Sequence, residues 1–247
     1  MKKFINLIYS FYAWALTGIL FLSAFLLSSL KSIGSKNREL IYNSISHKIT
    51  KILFKLLGVN INIQGQELIP QNYPVIFIVN HQSFIDINLL HSVIPVPFSF
   101  LSKKEMFSAP LIGWHMKLSG HLPIDRENKK DSYISLDKII KKAQNKPIVI
   151  FPEGTRSNDG TLGNFKRGGM VVISKTSCPV VPIAIIGTNK LLPKKNILFD
   201  FYSRNIKVKF GHPIHFSNNA QNEREETIKL QNELKTILEA LLNSIQR

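Results

Sequence analysis

Residues 4 to 30 carry no charge, with Lys2 and Lys3 before them and Lys31, Lys36 and Arg38 after them. As a helix rising about 1.5 Å per residue, the run reaches roughly 40 Å. That exceeds the ~30 Å hydrocarbon thickness of a bilayer. A cleaved signal sequence has an apolar region of about 7 to 15 residues and a small-residue cleavage site. This run is longer, and Leu26-Leu27-Ser28-Ser29-Leu30-Lys31 offers no such site. It predicts a retained membrane helix. Cations after the run outnumber those before it, which favours a cytoplasmic position for the rest of the chain.

The stretch from Glu39 to Leu57 has a different period. Ile41, Ile45, Ile49, Ile52, Leu53 and Leu56 recur at three- and four-residue steps, and Lys48, Lys51 and Lys55 share a neighbouring arc. Such a helix suits an anionic bilayer surface, or the surface of the protein itself. From Val59 onward, short apolar runs alternate with helix-like segments. Strands are expected at Val59 to Ile63, Pro74 to Val79, Phe98 to Leu101, Ile148 to Phe151, Val180 to Ile186 and Ile206 to Phe210, with a short one before Asp125. Several are unbroken and β-branched, as in strands buried on both faces. Helices are expected at Asp86 to Val93, Ser132 to Lys142, Phe165 to Thr176 and Glu223 to Ile245. In the last, Ile228, Leu234, Ile237, Leu238, Leu241 and Ile245 share a face. The pattern predicts an α/β fold, a mixed and mostly parallel sheet flanked by helices, with an N-terminal membrane-attachment segment. Residues 1–57 form that segment and residues 58–247 the α/β domain.

Composition narrows the partners. The 247 residues include 32 Lys plus Arg against 16 Asp plus Glu, a formal net charge of +16. The excess calls for an anionic partner: nucleic acid, an anionic membrane or a phosphorylated substrate. The single cysteine, Cys178, excludes an intramolecular disulfide framework and a Cys-rich metal cage. His212 and His215 lack companions with ligand spacing, so no metal is expected.

Two motifs follow buried strands, where open α/β sheets bind ligands. The first is Asn80-His81-Gln82-Ser83-Phe84-Ile85-Asp86. Five residues apart on a straight helix, His81 and Asp86 would not touch. They meet if His81 lies in a loop and Asp86 opens the next helix. The carboxylate would then fix one tautomer, leaving the other ring nitrogen to accept a proton. Alone, the spacing fits a loop histidine beside a helix cap equally well. The second is Phe151-Pro152-Glu153-Gly154-Thr155-Arg156-Ser157. Its turn offers backbone N–H groups, a hydroxyl and a guanidinium, which suit a phosphate. Glu153 would orient Arg156 or reach a substrate hydroxyl. Lys103-Lys104-Glu105, the Asp125-Arg126 pair and Lys166-Arg167 supply further cations.

Together these residues resemble the glycerolipid acyltransferase family, and within it the 1-acyl-sn-glycerol-3-phosphate (lysophosphatidic acid) acyltransferases. Four blocks match in order: Asn80 to Asp86, Gly120 to Arg126, Phe151 to Ser157, and Val181-Pro182-Ile183-Ala184. The resemblance covers roughly Gln64 to Pro213. It implies acyl transfer from a thioester, acyl-coenzyme A or acyl-acyl carrier protein, to lysophosphatidic acid. His81 would be the general base and Asp86 its orienting partner. Glu153, Gly154, Thr155 and Arg156 would bind the glycerol phosphate, helped by Arg126, Lys103 and Lys104. Pro182 would line the acyl-donor side. No cofactor beyond the thioester is implied. The location would be a bacterial inner membrane with the domain facing the cytoplasm, and nucleic acid would not be a partner.

Rival chemistries lack their letters. There is no G-x-S-x-G elbow, no Walker A loop and no G-x-G-x-x-G after a strand. Two alternatives stand beside the main reading. One is an acyltransferase acting on another lysolipid. The other is a non-catalytic, membrane-anchored module binding anionic lipid or nucleic acid through charge.

Overall fold

A computed structural model describes residues 1–71, 74–125, 129–176, 178–216 and 223–246. Two helices open the chain, α1 (Lys2–Lys31) and α2 (Arg38–Leu56). Then come β1 (Asn60–Gln64), β2 (Ile76–Val79), α3 (Asp86–Val93), β3 (Ser99–Lys103), α4 (Ile112–Leu118) and β4 (Leu122–Ile124). The rest is α5 (Lys129–Ala143), β5 (Ile148–Ile150), α6 (Arg167–Ser174), β6 (Val180–Ile186), α7 (Thr188–Leu191), β7 (Asn205–Phe210) and α8 (Glu223–Gln246).

The seven strands form one sheet in the order β1-β7-β6-β2-β5-β3-β4. All neighbours are parallel except β6 and β7. At the centre, Ile78 of β2 lies between Ile150 of β5 and Pro182 of β6. Every residue of β2 and β5 is buried, because helices cover both faces. On one face Phe77, Val79, Val149, Val181 and Ile183 pack with Leu53 and Phe54 of α2 and Leu89 and Leu90 of α3. On the other, Ile76, Ile78, Ile148 and Ile150 pack with Met170 and Val172 of α6 and Leu234 and Leu238 of α8.

This layering positions the site. The chain leaves β2 toward α3 on the first face, and leaves the neighbouring β5 toward α6 on the second. Two adjacent parallel strands whose connections depart in opposite directions open a crevice at their carboxyl ends. The loops there hold Asn80 to Ile85 and Phe151 to Lys166.

Two helix faces differ from the periodic reading. In α2 the buried residues are Tyr42, Asn43, Ser46, Thr50, Leu53 and Phe54, whereas Ile52 and Leu56 are about half exposed. The inward polar groups have partners that periodicity does not register. Asn43 donates to the Glu39 and Ser119 carbonyls and accepts from Phe98 N–H, and the Thr50 hydroxyl donates to the Ser46 carbonyl. In α8 the buried line is Leu230, Leu234, Leu238, Leu242 and Ile245, and Ile228 faces outward. Helix α1 is long and apolar enough to cross a membrane, by length and composition. Its Tyr9 and Ala13 are buried against the domain, and the Tyr9 hydroxyl donates to the Leu57 carbonyl at 2.8 Å.

A cluster of neutral histidines joins α2, α3, α4 and β3. His91, His115 and His121 are all buried. The His91 and His121 rings lie 5.8 Å apart, and His121 Nδ1 accepts from Phe100 N–H. Burial holds His91 down to about 3, His115 to about 4, and His121 well below the usual imidazole value. In the unfolded chain each takes a proton near pH 6.5. The unfolded state therefore binds more protons below that pH, and stability falls as pH drops from about 6.5 toward 4. Unfolding in detergent micelles is expected to show a transition midpoint that is level above pH 7 and declines steadily between about pH 6.5 and 4.5. A midpoint unchanged across that interval would mean these imidazoles are not buried neutral.

Candidate active site

Asn80 follows β2 and fixes the start of the loop. Its side chain donates to the Ile185 carbonyl at 2.9 Å and accepts from Ile185 N–H at 2.8 Å, continuing the β2–β6 pairing through an amide. The chain then turns, and Asp86 becomes the first residue of α3. One carboxylate oxygen, Oδ2, reaches back to accept from Gln82 N–H (2.7 Å), Ser83 N–H (2.8 Å) and His81 Nδ1 (2.8 Å). The Asp86 side chain is fully buried, whereas that of His81 is 15% exposed. A carboxylate only accepts, so His81 carries its proton on Nδ1 and offers Nε2 as an acceptor. The sequence requirement is met: His81 sits in the loop and Asp86 at the helix start.

The β5 loop closes on the same histidine. The Phe151 ring stacks on the His81 imidazole with centroids 3.9 Å apart, and Phe100 lies parallel beyond Phe151. His81 N–H donates to Glu153 Oε1 at 2.8 Å, Gly163 N–H donates to Glu153 Oε2 at 2.8 Å, and Ser157 N–H donates to the His81 carbonyl at 2.7 Å. Burial pushes the Glu153 carboxyl up, against the lowering effect of those two N–H bonds. The sequence reading placed Glu153 on Arg156, a substrate hydroxyl or the phosphate. The structure gives each of its oxygens a backbone N–H, so it locks the His81 loop to the β5 loop. Gly163 allows this approach, because a Cβ there would lie 2.9 Å from Glu153 Oε2.

The turn beyond Glu153 is open. Gly154 has φ +67°, a left-handed conformation that favours glycine. Thr155 is exposed and Arg156 half-buried. Lys194, from the segment after α7, donates to Thr155 Oγ1 at 3.3 Å and to the Arg156 carbonyl. Nothing in the sequence flagged Lys194, which lies outside every strand-end motif.

The remaining expected residues divide. Lys103 and Lys104 stand at the carboxyl end of β3, on the same sheet edge, with ammonium groups paired to Glu105 (3.6 Å) and Asp125 (3.3 Å). Arg126 lies outside the described residues. Pro182 is buried inside β6, its ring beside Gly211, on the alternate face from Val181 and Ile183 and hence away from the α3 layer. That orientation follows from the strict two-residue alternation of a strand. No group of three or more His, Cys, Asp or Glu side chains among the described residues is arranged to hold a metal.

Apolar groups border the crevice. Phe84 is 39% exposed, and Trp14 of α1 lies 6.4 Å from it, ring to ring. Trp14 Nε1 donates to the carbonyl of the exposed Ile197 at 2.7 Å.

The mostly parallel sheet thus brings the His81–Asp86 pair and the Gly154-Thr155-Arg156 turn to adjacent strand ends. The chain belongs to the Acyltransferase family, whose model matches residues 60–186. It is 40% identical over 163 residues to the chloroplastic 1-acyl-sn-glycerol-3-phosphate acyltransferase LPAT1 of Arabidopsis thaliana, covering 64% of this chain and 44% of the relative. It is 33% identical over 153 residues to the 1-acyl-sn-glycerol-3-phosphate acyltransferase of Helicobacter pylori, covering 61% of this chain and 63% of that one. The matches thus span less than two thirds of these relatives. The crystal structure of the 1-acyl-sn-glycerophosphate acyltransferase PlsC from Thermotoga maritima superimposes with a TM-score of 0.81 at 25% identity, covering 98% of both chains.

Replacing the Glu153 carboxylate tests the lock between the two loops. Glu153→Gln places an amide NH₂ against one of two backbone N–H donors and so loosens the His81 loop. Displacing a reacting group by about 1 Å costs on the order of 10² in rate. Turnover is expected to fall about that far, with the acceptor KM nearly unchanged. A raised acceptor KM at native turnover would put Glu153 on the substrate.

Proposed function

We propose that the protein transfers a fatty acyl group from an acyl thioester, acyl-coenzyme A or acyl-acyl carrier protein, to the sn-2 hydroxyl of 1-acyl-sn-glycerol 3-phosphate, giving phosphatidic acid. The observation that carries this is the 2.8 Å contact between His81 Nδ1 and the buried Asp86 carboxylate, with the phosphate-type turn closed onto the same loop. The names of the relatives and of the Thermotoga neighbour support the acceptor.

In this mechanism Asp86 holds the Nδ1–H, so Nε2 faces the acceptor hydroxyl as its base. As Nε2 takes the proton, the hydroxyl oxygen bonds to the thioester carbonyl carbon. Collapse of the tetrahedral intermediate breaks the C–S bond, and the imidazolium returns its proton to the departing thiolate. Ester and thiol are the products, and no acyl-enzyme forms. A thioester is already activated, so a positioned base and a held phosphate supply the catalysis. Arg156, the Gly154 to Thr155 turn, Lys103, Lys104 and Arg126 form the phosphate side. Both acceptor and product are membrane lipids. Helix α1 attaches the protein to the bilayer, in a bacterial inner membrane with the α/β domain toward the cytoplasm.

The test is acyl transfer by native protein and by His81→Ala, with lysophosphatidic acid and either thioester donor. Native protein is expected to form phosphatidic acid, and the variant to lose at least about 10²-fold in turnover. Equal product from both would remove His81 from the chemistry.

A further inference from the structure

The cations at the crevice are of two kinds. Lys103 and Lys104 each face a carboxylate. Lys194 does not: its partners among the described residues are the neutral Thr155 hydroxyl and the Arg156 carbonyl. As a residue it is half-buried. Arg156, on the same turn, likewise has no carboxylate partner among the described residues and is half-buried.

Lys194 is held in place by its own segment. Two residues before it, the Leu192 carbonyl accepts from the Ser83 hydroxyl at 2.7 Å, which ties the segment to the His81 loop. Pro193 precedes it with a fixed φ, and its carbonyl accepts from Asn196 N–H. Beyond, the Ile197 carbonyl accepts from Trp14, and Phe199 N–H donates to Ser10 Oγ at 2.8 Å. Anchored on both sides, the segment brings the ammonium to the Gly154-Thr155-Arg156 turn and leaves one of its three N–H donors beyond the two bonds already made.

We propose that Lys194 is a specificity-determining residue that binds the terminal phosphate monoester of the acceptor together with Arg156. The assignment rests on the acceptor reading above and deepens it. A phosphate monoester carries close to two negative charges and three acceptor oxygens. The Arg156 guanidinium and the ammonium of Lys194, which meets that residue at its carbonyl, together match that charge. They distinguish it from a neutral glyceride, which offers no anion, and from a phosphodiester, whose single charge needs one cation. Lys194 lies outside the four sequence blocks, so this selectivity belongs to the segment after α7.

The experiment compares native protein with Lys194→Gln and Lys194→Arg in detergent micelles. It measures kcat, the KM for lysophosphatidic acid and the KM for acyl-coenzyme A, together with the thermal unfolding midpoint. A hydrogen bond to a charged group gives about 10- to 100-fold in binding. Lys194→Gln is expected to raise the lysophosphatidic acid KM by about that factor, mostly in KM rather than kcat. The donor KM is expected to stay put, and Lys194→Arg to recover most of the loss. An unchanged acceptor KM in Lys194→Gln, with native protein active, would overturn the assignment and leave the proposed reaction standing. Equal losses of kcat in both variants, or a loss that tracks a lowered unfolding midpoint, would make Lys194 a tie within the turn and overturn it too. Native protein forming no phosphatidic acid would overturn the reaction, and this role with it.

Discussion

One buried carboxylate oxygen organises the site. Asp86 Oδ2 receives two backbone N–H groups and the His81 imidazole within 2.8 Å, at the first residue of a helix. The backbone bonds fold the chain leaving β2 into a tight turn, and the negative charge suits the amino end of α3. The imidazole bond selects the ring nitrogen that faces outward. Turn, helix start and histidine tautomer therefore depend on the same atom. The residues that build this piece of fold cannot be separated from those proposed to act on the substrate.

The second loop is joined to the first by main-chain hydrogen bonds. Because β2 and β5 are neighbours with connections to opposite faces, their loops meet across a crevice rather than diverging around the sheet. Glu153 spans it by accepting from both loops, and Ser157 N–H returns a bond to His81. Phe151 packs the imidazole from the side. His81 is thus held by carboxylate, backbone and aromatic stack. The turn from Gly154 to Arg156 lies beyond that lock and meets Lys194 instead. Trp14 and the segment after α7 extend the assembly to α1, so the apolar helix borders the site instead of trailing from it.

The central strands were legible because they are buried on both faces, which turns them into unbroken β-branched runs; Val180 to Ile186 agrees with β6 at both ends. Helix α3 was equally plain, opening at Asp86. Features that rest on side chain–backbone bonds were not. Asn43 and Thr50 point inward from α2 because remote or local carbonyls and N–H groups receive them, so the face buried in the domain is not the isoleucine stripe. Helix α4 was missed for another reason: seven residues are too few to show a period, and its start is set by Gly113 packing against the Phe107 carbonyl. At the site, His81 and Asp86 were readable from spacing plus the strand before them. The contacts of Glu153 and Lys194 required knowing which loops the sheet brings together.

The tautomer of His81 decides whether Asp86 sets up the base. Nitrogen-15 NMR of histidine-labelled protein in micelles, with the His81 signals identified by their loss in His81→Gln, reports which ring nitrogen carries the proton in the neutral form. A protonated Nδ1 and a bare Nε2 are expected in the native protein, and a mixture in Asp86→Asn. A neutral ring protonated on Nε2 in the native protein would refute this assignment, because that nitrogen could then accept no proton from the acceptor hydroxyl.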